Sequence, residues 1–464
     1  MFSKSTYINR RNHLRKQINS GIAIFIGNDE APMNYTDNTY HYRQDSSFLY
    51  YFGIEQSGLV GIIDFELGND AIFGTDFTID DIVWMGSQPT LKEKSALVGI
   101  EVVGSLLDFE KRIEKALATS QKTHFLPPYR DEHRIKLFRW LHVHPDNQAT
   151  KASVELIVAI GEQRIVKSEE EILELDEAAN ITVDMHLAAL HFAKPGMTEA
   201  QVVAKVHEVA LAVGGNIAFP IIATINGQTL HNHYHGNTLK SGQMFLLDAG
   251  YETPNGYAGD MSSTFPVDQK FTAQQKEIYE ISLQAHEAAL AKLKPGINFR
   301  EVHFAAATAM AQGLKEMGFM KGNMADAVEA GAHALFFPCG TGHLLGLDVH
   351  DMENLGEQHV GYAGKPKSTL FGLKSLRLAR PLQPGFVLTI EPGIYFIPEL
   401  IHLWKSKNRF AEFINYPKVE QYKNFSGCRN EEDVLITETG YKILGKRLAK
   451  TVKEVELERE KAFN

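Results

Sequence analysis

The chain has 464 residues, enough for two or three ordinary domains, and its 44% hydrophobic and 22% charged residues are typical of a globular protein. A net charge of -10 argues against nucleic acid as a partner, because phosphate contacts need a basic face. The sequence has only two cysteines, which excludes a disulfide framework and predicts a reducing, cytoplasmic compartment. No apolar run is long enough to span a bilayer, so we expect no membrane partner.

The first part of the chain alternates short apolar runs with turns and helical stretches, which predicts an α/β domain. A helix is predicted at SLLDFEKRIEKALAT, and strands are predicted at GIAIFIG, SSFLYYFGI, LVGIIDFE and THFLPPY. A polar stretch follows, and a strongly charged helix start, KSEEEILELDEAAN, comes after it. We therefore place a boundary near residues 155–168, between an N-terminal domain at 1–160 and a second domain at 166–464.

The second domain contains an internal repeat. ITVDMHLAALHFAKPGMTEAQV, which starts at Ile181, matches ISLQAHEAALAKLKPGINFREV, which starts at Ile281. Each copy reads as a long amphipathic helix stopped by Pro-Gly, a second helix and later strands, so we predict two halves related by a pseudo-twofold axis. The repeated His186 and His286 lie among alanines and leucines and are interpreted as core residues.

Carboxylates and histidines are concentrated in four segments near the predicted strands. The segments are LLDAGYETPNGYAGDMSSTF with Asp248 and Asp260, PCGTGHLLGLDVHD with His343 and His350, LTIEPGIYF with Glu391, and CRNEEDVLIT with Glu431. An unpaired charge beside an apolar strand is costly, and a pair of divalent cations would compensate all of these carboxylates together. Four carboxylates with one imidazole are a hard, oxygen-rich set that suits Mn²⁺, with Co²⁺, Fe²⁺ or Zn²⁺ as alternatives.

The segment around Asp248 and Asp260 reads as a hairpin with a Pro-Asn-Gly turn. Adjacent antiparallel strands would bring both carboxylates to one face, where they repel each other unless cations lie between them. Taken alone, this hairpin is better interpreted as a solvated face, and only together with the other three segments does it indicate a metal site. A metal pair about 3.5–4 Å apart is the arrangement that activates water for hydrolysis.

These segments, in this order, resemble the motifs of the proline-specific metallopeptidases of the pita-bread fold, aminopeptidase P and prolidase. TDNTYHYRQDSSFLYYFGI in the N-terminal domain also resembles a segment of that family. The resemblance implies an α/β N-terminal domain followed by an α+β pita-bread catalytic domain. It also implies that two ions are bridged by Asp260 and Glu431, with Asp248 on one ion and His343 and Glu391 on the other.

The same resemblance assigns further roles. His350 would contact substrate near the scissile bond, and His231 would be the other active-site histidine, although His233 is an alternative match. Arg429 would orient a ligand carboxylate. Glu391 is the candidate to handle the proton, because it should lie near the attacking water.

The chain departs from the family pattern at Cys339, where a histidine is usual. A cysteine is a poorer hydrogen-bond donor, so it either changes nothing or narrows the substrate range. A third alternative is that it joins the metal site as a thiolate, although the oxygen-rich ligand set is already complete. Arg377 matches a prolidase arginine that binds the carboxylate of a dipeptide, and it reads otherwise as a surface arginine. We therefore favour an Xaa-Pro dipeptidase, with an Xaa-Pro aminopeptidase as the alternative.

The expected substrates are proline-containing peptides, and the family resemblance implies a homodimer or homotetramer. Two other classes share the fold: proteins that have lost the metals and only bind partners, and creatinase-like hydrolases. Both readings predict an incomplete ligand set, whereas all five ligand positions are filled in this sequence.

Overall fold

The computed structural model describes residues 1–464 and contains mixed helices and sheets. The chain forms two compact units, of which unit 1 comprises Met1–Arg164 with Glu353–Val360 and unit 2 comprises Ile165–Met352 with Gly361–Asn464. None of the helices is both long and apolar enough to cross a lipid bilayer.

Unit 1 is an α/β domain around a mixed five-stranded sheet of order β4-β3-β2-β1-β5. The strands are β1 (Ile22–Ile26), β2 (Val60–Asp64), β3 (Ala71–Phe73), β4 (Val102–Gly104) and β5 (Thr123–Phe125). The helices are α1 (Lys4–Arg15), α2 (Ser46–Phe52), α3 (Ile79–Met85), α4 (Leu91–Leu97), α5 (Leu106–Ala118), α6 (Asp131–Leu141), α7 (Pro145–Lys151) and α8 (Val154–Arg164). A further short helix spans Glu357–Val360.

Three of the four strands predicted in this unit are confirmed, whereas the run SSFLYYFGI is helix α2. The Asp45 side chain caps the helix by accepting a hydrogen bond from the amide of Phe48 at 2.8 Å. The helix ends at Gly53, whose φ of 61° is left-handed. Because α2 is buried on nearly all sides, it has no polar face, and its apolar run looks like a buried strand.

Unit 2 contains four small sheets and long helices. Its strands are β6 (Asn216–Ile217), β7 (Ile222–Thr224), β8 (Met244–Ala249), β9 (Tyr251–Glu252), β10 (Met261–Pro266), β11 (Val387–Ile390), β12 (Gly393–Tyr395), β13 (Gly427–Arg429), β14 (Glu432–Ile436) and β15 (Tyr441–Ile443). Its helices are α9 (Glu169–Phe192), α10 (Glu199–Ala212), α11 (Ala273–Leu290), α12 (Phe299–Glu316), α13 (Met324–Ala330), α14 (Pro398–Ser406), α15 (Tyr416–Glu420) and α16 (Val452–Phe463).

The helical part of the internal repeat is formed as predicted. In the first copy α9 is followed by Lys-Pro-Gly and α10, and in the second copy α11 is followed by the same tripeptide and α12. His186 is fully buried, and its two ring nitrogens lie 2.7 Å from Ser263 Oγ and 3.2 Å from the carbonyl of Ala249, which confirms its interpretation as a core residue. His286 is also buried.

Two of these sheets carry the chemically interesting segments. One has the order β10-β8-β7 and the other has the order β11-β14-β15. Glu391 directly follows β11 and Glu431 lies between β13 and β14. The strands therefore deliver carboxylates from distant parts of the chain to the same region of unit 2.

Candidate metal centre and active site

The hairpin predicted around Asp248 and Asp260 is present, and its register refines how the two carboxylates are placed. Strand β8 pairs antiparallel with β10 so that Asp248 lies opposite Ser262. Asp260 is two residues before Ser262, and side chains two apart on an extended chain share a face. The two carboxylates are thus diagonal neighbours on one face, with Ser262 directly across from Asp248.

A compact cluster of ligand atoms lies beside this hairpin. One side-chain ligand atom from each of Asp260, His343 and Glu431 lies within 4.8 Å of the other two, and all three residues are buried. The imidazole Nε2 of His343 is 3.2 Å from Asp260 Oδ2 and 3.5 Å from Glu391 Oε1. Carboxylates and an imidazole at this spacing can bind a divalent cation.

The local backbone sets the tautomer of His343. Its Nδ1 lies 3.0 Å from the carbonyl of Leu344, so the proton on Nδ1 is donated to that oxygen and Nε2 keeps its lone pair. The segment is also bonded to the sheet, since the amide of Thr389 donates to the carbonyl of His343 at 2.9 Å. A histidine held in this way presents Nε2 as a ligand toward the carboxylates.

Arg429 lies on β13, and its guanidinium group connects the β12–β13 sheet with the β8–β10 hairpin. It donates from Nε to Ser262 Oγ at 2.8 Å, from Nη1 to the Tyr395 hydroxyl at 2.9 Å, and from Nη2 to Asp248 Oδ2. Ser262 Oγ in turn donates to Glu431 Oε2 at 2.7 Å. Asp248 is therefore held by Arg429 rather than within the tight cluster, and the guanidinium fixes the direction of its carboxylate.

Two more buried groups hold the backbone of the candidate ligands. The carboxylate of Asp433 accepts a hydrogen bond from the amide of Asp260 at 3.0 Å. The ammonium of Lys450 donates to the carbonyl of Glu431 at 2.9 Å. Such contacts limit the movement of the carboxylates before any ion arrives.

The carboxylates of the cluster destabilise one another when no cation is bound. Burial raises the pKa values of Asp260 and Glu431 well above their usual range, and repulsion from the neighbouring carboxylates raises them further. Burial also raises the pKa of Glu391, although His343 and Arg429 oppose that shift. A divalent cation would favour the ionised forms, so the donor set and its electrostatics fit a metal centre.

This electrostatic arrangement predicts an unusual effect of removing a carboxylate. Because the raised pKa of Asp260 makes the folded state bind a proton that the unfolded state releases, the metal-free protein loses stability as pH rises above about 4. Asp260→Asn is expected to stabilise the metal-free protein by about 2 kcal/mol at pH 8 and by much less at pH 4.5.

Urea unfolding at the two pH values, after removal of metal by chelation, measures this difference. Added Mn²⁺ should stabilise the wild-type protein far more than the Asp260→Asn variant. A variant that is less stable than wild type at pH 8 without metal would contradict the predicted repulsion.

The cluster opens into a cavity of about 580 Å³ in unit 2. Apolar side chains form part of its wall, among them Phe219, Ile222, Leu230, Val349 and Phe371. All the site residues predicted from the sequence line this cavity, and these are His231, Asp248, Asp260, His343, His350, Arg377, Glu391, Arg429 and Glu431. The alternative His233 lines it as well.

The ring of His350 lies beside that of His343, with a centroid distance of 4.3 Å and an interplanar angle of 66°. Partial burial and the Arg429 cation lower the pKa of His231. Because His231 and His233 both line the cavity, geometry leaves both histidines as candidates.

Cys339 also lines the cavity, close to Glu391 and Tyr395. Burial and the charge of Glu391 together raise the pKa of its thiol to about 12. The thiol of Cys339 is therefore neutral near pH 7 in the metal-free protein.

Sequence reasoning missed several residues of the site, namely Ser262, Tyr395, Asp433 and Lys450. Ser262 and Tyr395 lie in the sequence segments that carry Asp260 and Glu391, so their closeness to the ligands could have been predicted from the sequence. Asp433 follows two glutamates, and nothing in its spacing indicates that it faces the amide of Asp260.

Comparisons with known proteins agree with this geometry. The profile of metallopeptidase family M24 matches residues 174–438, and that of the aminopeptidase P N-terminal domain matches residues 7–125. The human Xaa-Pro dipeptidase is 31% identical over 94% of this chain and 88% of its own. The Xaa-Pro aminopeptidase of Escherichia coli strain K12 is 30% identical over 98% of this chain and 97% of its own.

Solved structures give the same result. The structure of Pseudomonas aeruginosa aminopeptidase PepP superposes with a TM-score of 0.82 at 26% identity and covers 100% of this chain and 99% of its own. Zinc-substituted E. coli aminopeptidase P in complex with product superposes with a TM-score of 0.82 at 26% identity, over 99% of each chain.

The α/β N-terminal unit, the pita-bread catalytic fold and the buried carboxylate–histidine cluster together define a metallopeptidase. The chain belongs to metallopeptidase family M24, and its N-terminal part is an aminopeptidase P N-terminal domain. The predicted family and fold class are thereby confirmed.

Proposed function

We propose that the chain hydrolyses the peptide bond before proline with two bound Mn²⁺ ions, and that it acts chiefly as an Xaa-Pro dipeptidase. The observation that carries the proposal is the convergence of Asp260, His343 and Glu431 within 4.8 Å in a cavity that Arg377 also lines. The similarity to Xaa-Pro peptidases over nearly the whole chain supports it.

We assign the two ions to the five predicted ligands, which are Asp248, Asp260, His343, Glu391 and Glu431. Their oxygen-rich chemistry favours Mn²⁺, with Co²⁺, Fe²⁺ or Zn²⁺ as alternatives. When bound, the ions would activate a water molecule and polarise the carbonyl group before proline.

The side chains of this protein have separate tasks in the proposed reaction. Glu391 lies against His343 Nε2, where its carboxylate would accept and pass on the proton of the attacking water. His350 would donate to the developing oxyanion, and His231, or His233 in its place, would hold the proline side. Arg429 would keep Asp248 in its ligand orientation.

Arg377 supports the dipeptidase preference. A planar guanidinium in the cavity wall is suited to bind the terminal carboxylate that a dipeptide presents close to the scissile bond. The similarity of the fold to aminopeptidase P structures favours the alternative, in which the enzyme removes the first residue from longer Xaa-Pro peptides.

A direct comparison tests the proposal. The purified protein is supplied with Mn²⁺, and initial rates are measured on Ala-Pro, on Ala-Pro-Ala-Ala and on Ala-Ala as a control without proline. The proposal predicts the highest kcat/KM for Ala-Pro and no cleavage of Ala-Ala. A higher kcat/KM for the longer peptide would establish the aminopeptidase instead, and intact peptides with metal-loaded protein would favour a binding protein.

We also propose that the chain works as a homodimer or homotetramer in a cytoplasmic compartment, with domains at 1–160 and 166–464. The compact units, which divide between Arg164 and Ile165, support this division except at Glu353–Val360, which belongs to unit 1. Both cysteines are free, which suits a reducing compartment. Helix α3 supports self-association, because none of its residues is buried and its Trp84 is 85% exposed.

Replacing Trp84 by serine is expected to weaken self-association about 30-fold, since a central interface tryptophan contributes about 2 kcal/mol or more. Sedimentation velocity over a concentration series measures the change. Leu173→Ser is the matched control, because Leu173 is a similarly exposed apolar residue (70%) on a helix of the other unit. A monomeric wild-type protein, or equal effects of the two substitutions, would contradict the prediction.

A further inference from the structure

A buried ion pair lies behind the loop that carries His350. Lys167 Nζ is 2.8 Å from Asp351 Oδ2, and both side chains are only 1% exposed. Removing two opposite charges from water costs about as much free energy as their attraction returns, so stability alone is a weak reason for such a pair. Its contacts show what it holds in place.

Asp351 closes a short loop whose two ends carry the two histidines. Its amide donates to the carbonyl of Leu344 at 2.9 Å, and its Oδ1 accepts a hydrogen bond from the amide of Asp348. Gly346 lies so close to the carboxylate that a Cβ there would meet Asp351 Oδ2 at 2.4 Å. The carboxylate therefore occupies the centre of the loop and acts as its internal support.

Lys167 is attached to the sheet that carries the candidate carboxylate ligands. Its amide donates to the carbonyl of Gly385 at 2.8 Å, and the amide of Gly385 donates to the carbonyl of Ile436 at 2.9 Å. Gly385 precedes β11 and Ile436 ends β14, the two strands next to Glu391 and Glu431. The ammonium of Lys167 thus projects from a point that is fixed relative to the metal cluster.

The two histidines are fixed to this sheet in different ways. His343 is bonded directly to β11, through the amide of Thr389 and through the side chain of the same residue. His350 stands at the other end of the loop, next to Asp351, and the ion pair ties that end to the sheet. Loss of the pair should therefore displace His350 while His343 stays in place.

We propose that Lys167 and Asp351 are positioning residues that hold His350 in register with the metal cluster. The inference rests on the proposed peptidase function, in which His350 faces the substrate. It adds two residues that do not line the cavity and act on the reaction only through His350.

The test is a double-mutant cycle between Asp351 and His350, measured as kcat and KM on Ala-Pro with saturating Mn²⁺. Asp351→Asn is expected to lower kcat about 30-fold, in the range found for groups that orient an active-site residue, with manganese content unchanged. In the His350→Ala background, the same substitution should change kcat less than about twofold, because its effect passes through the missing ring.

Two further variants keep the test decisive if Asp351→Asn folds poorly. Lys167→Met should reproduce the loss of kcat. Lys167→Met with Asp351→Leu removes both charges and should recover thermal stability while kcat stays low, whereas a purely structural pair would recover both. Asp70→Asn removes the charge that pairs with the buried Arg11 (2.7 Å) and with Arg15 in unit 1. It is the matched control and should leave kcat within about twofold.

Hydrogen exchange on the metal-free protein gives a readout without activity. Peptides covering residues 344–351 should exchange faster in Asp351→Asn, whereas peptides from β8 should not change. The inference would be overturned if Asp351→Asn lowered kcat by the same factor with His350 and with His350→Ala. It would also be overturned if the Asp351→Asn enzyme kept the wild-type kcat. A wild-type enzyme that leaves Ala-Pro intact would instead refute the proposed function.

Discussion

Glu431→Gln is expected to lower kcat/KM on Xaa-Pro peptides by about a thousandfold, on the order of 4 kcal/mol of transition-state stabilisation. The reason lies in the position of this carboxylate, which is buried within 4.8 Å of the ligand atoms of Asp260 and His343. A neutral amide binds a divalent cation far more weakly than a carboxylate does, so the variant should also retain less metal after dialysis.

The expected fold of this variant is intact, because the backbone of Glu431 is held independently of its carboxylate. Its carbonyl accepts the Lys450 ammonium at 2.9 Å, and its amide donates to the carbonyl of Ser262 at 3.0 Å. The measurement is kcat/KM together with bound manganese per chain and a circular dichroism melt. A loss of activity with full metal content would show that the residue acts otherwise than as a ligand.

Glu432→Gln is the matched control for this experiment. The two glutamates are adjacent and buried, and neighbouring residues of an extended chain face opposite sides. The Glu432 carboxylate lies 3.6 Å from His286 Nε2 and 3.6 Å from Lys450 Nζ, away from the ligand cluster. This variant should keep its metal and most of its activity, and a loss equal to that of Glu431→Gln would refute the assignment.

Arg377→Ala is expected to lower kcat/KM on Ala-Pro by about 10–100-fold, because a charge-assisted hydrogen bond to a carboxylate contributes about 1.5–3 kcal/mol. On Ala-Pro-Ala-Ala, whose terminal carboxylate lies two residues farther from the scissile bond, the loss should stay below about threefold. The ratio of the two kcat/KM values therefore reports the role of Arg377 independently of enzyme stability.

Two variants sharpen this prediction. Arg377→Lys keeps the charge but loses the planar fork, so its effect should be intermediate. Lys374→Ala removes an exposed cation from the same loop. Because Lys374 does not line the cavity, this variant should leave both rates nearly unchanged. Equal losses of Arg377→Ala on both peptides would contradict carboxylate binding and favour a structural role for the arginine.

The ligand cluster was predictable because burying a carboxylate beside an apolar strand costs free energy. Several such carboxylates in one sequence therefore indicate a compensating positive charge. The hairpin of Asp248 and Asp260 has its own turn residues, and Glu391 and Glu431 lie at ends of apolar runs. The internal repeat was predictable for a similar reason, since Pro-Gly ends both long helices at matching positions.

The groups that hold the ligands in place were not predictable in the same way. Lys167 and Asp351 are separated by 184 residues. Arg429 lies 181 residues from Asp248, and only the family resemblance assigns it an orienting role. Contacts at such distances depend on the tertiary fold, and a single lysine or arginine in a sequence looks like a surface residue. The strand predicted at SSFLYYFGI was wrong for a local reason. A helix that is buried on nearly all sides has no polar face, so its sequence does not show the helical period.

The central claim is that two cations, held by five side chains from distant segments, make this protein a peptidase. The most direct measurement is a titration of metal-free protein with Mn²⁺ in which bound metal per chain and the rate of Ala-Pro hydrolysis are followed together. We expect no hydrolysis without metal, and a plateau in rate when two ions are bound per chain. Full activity in chelated protein, or a plateau at fewer than two bound ions, would contradict it.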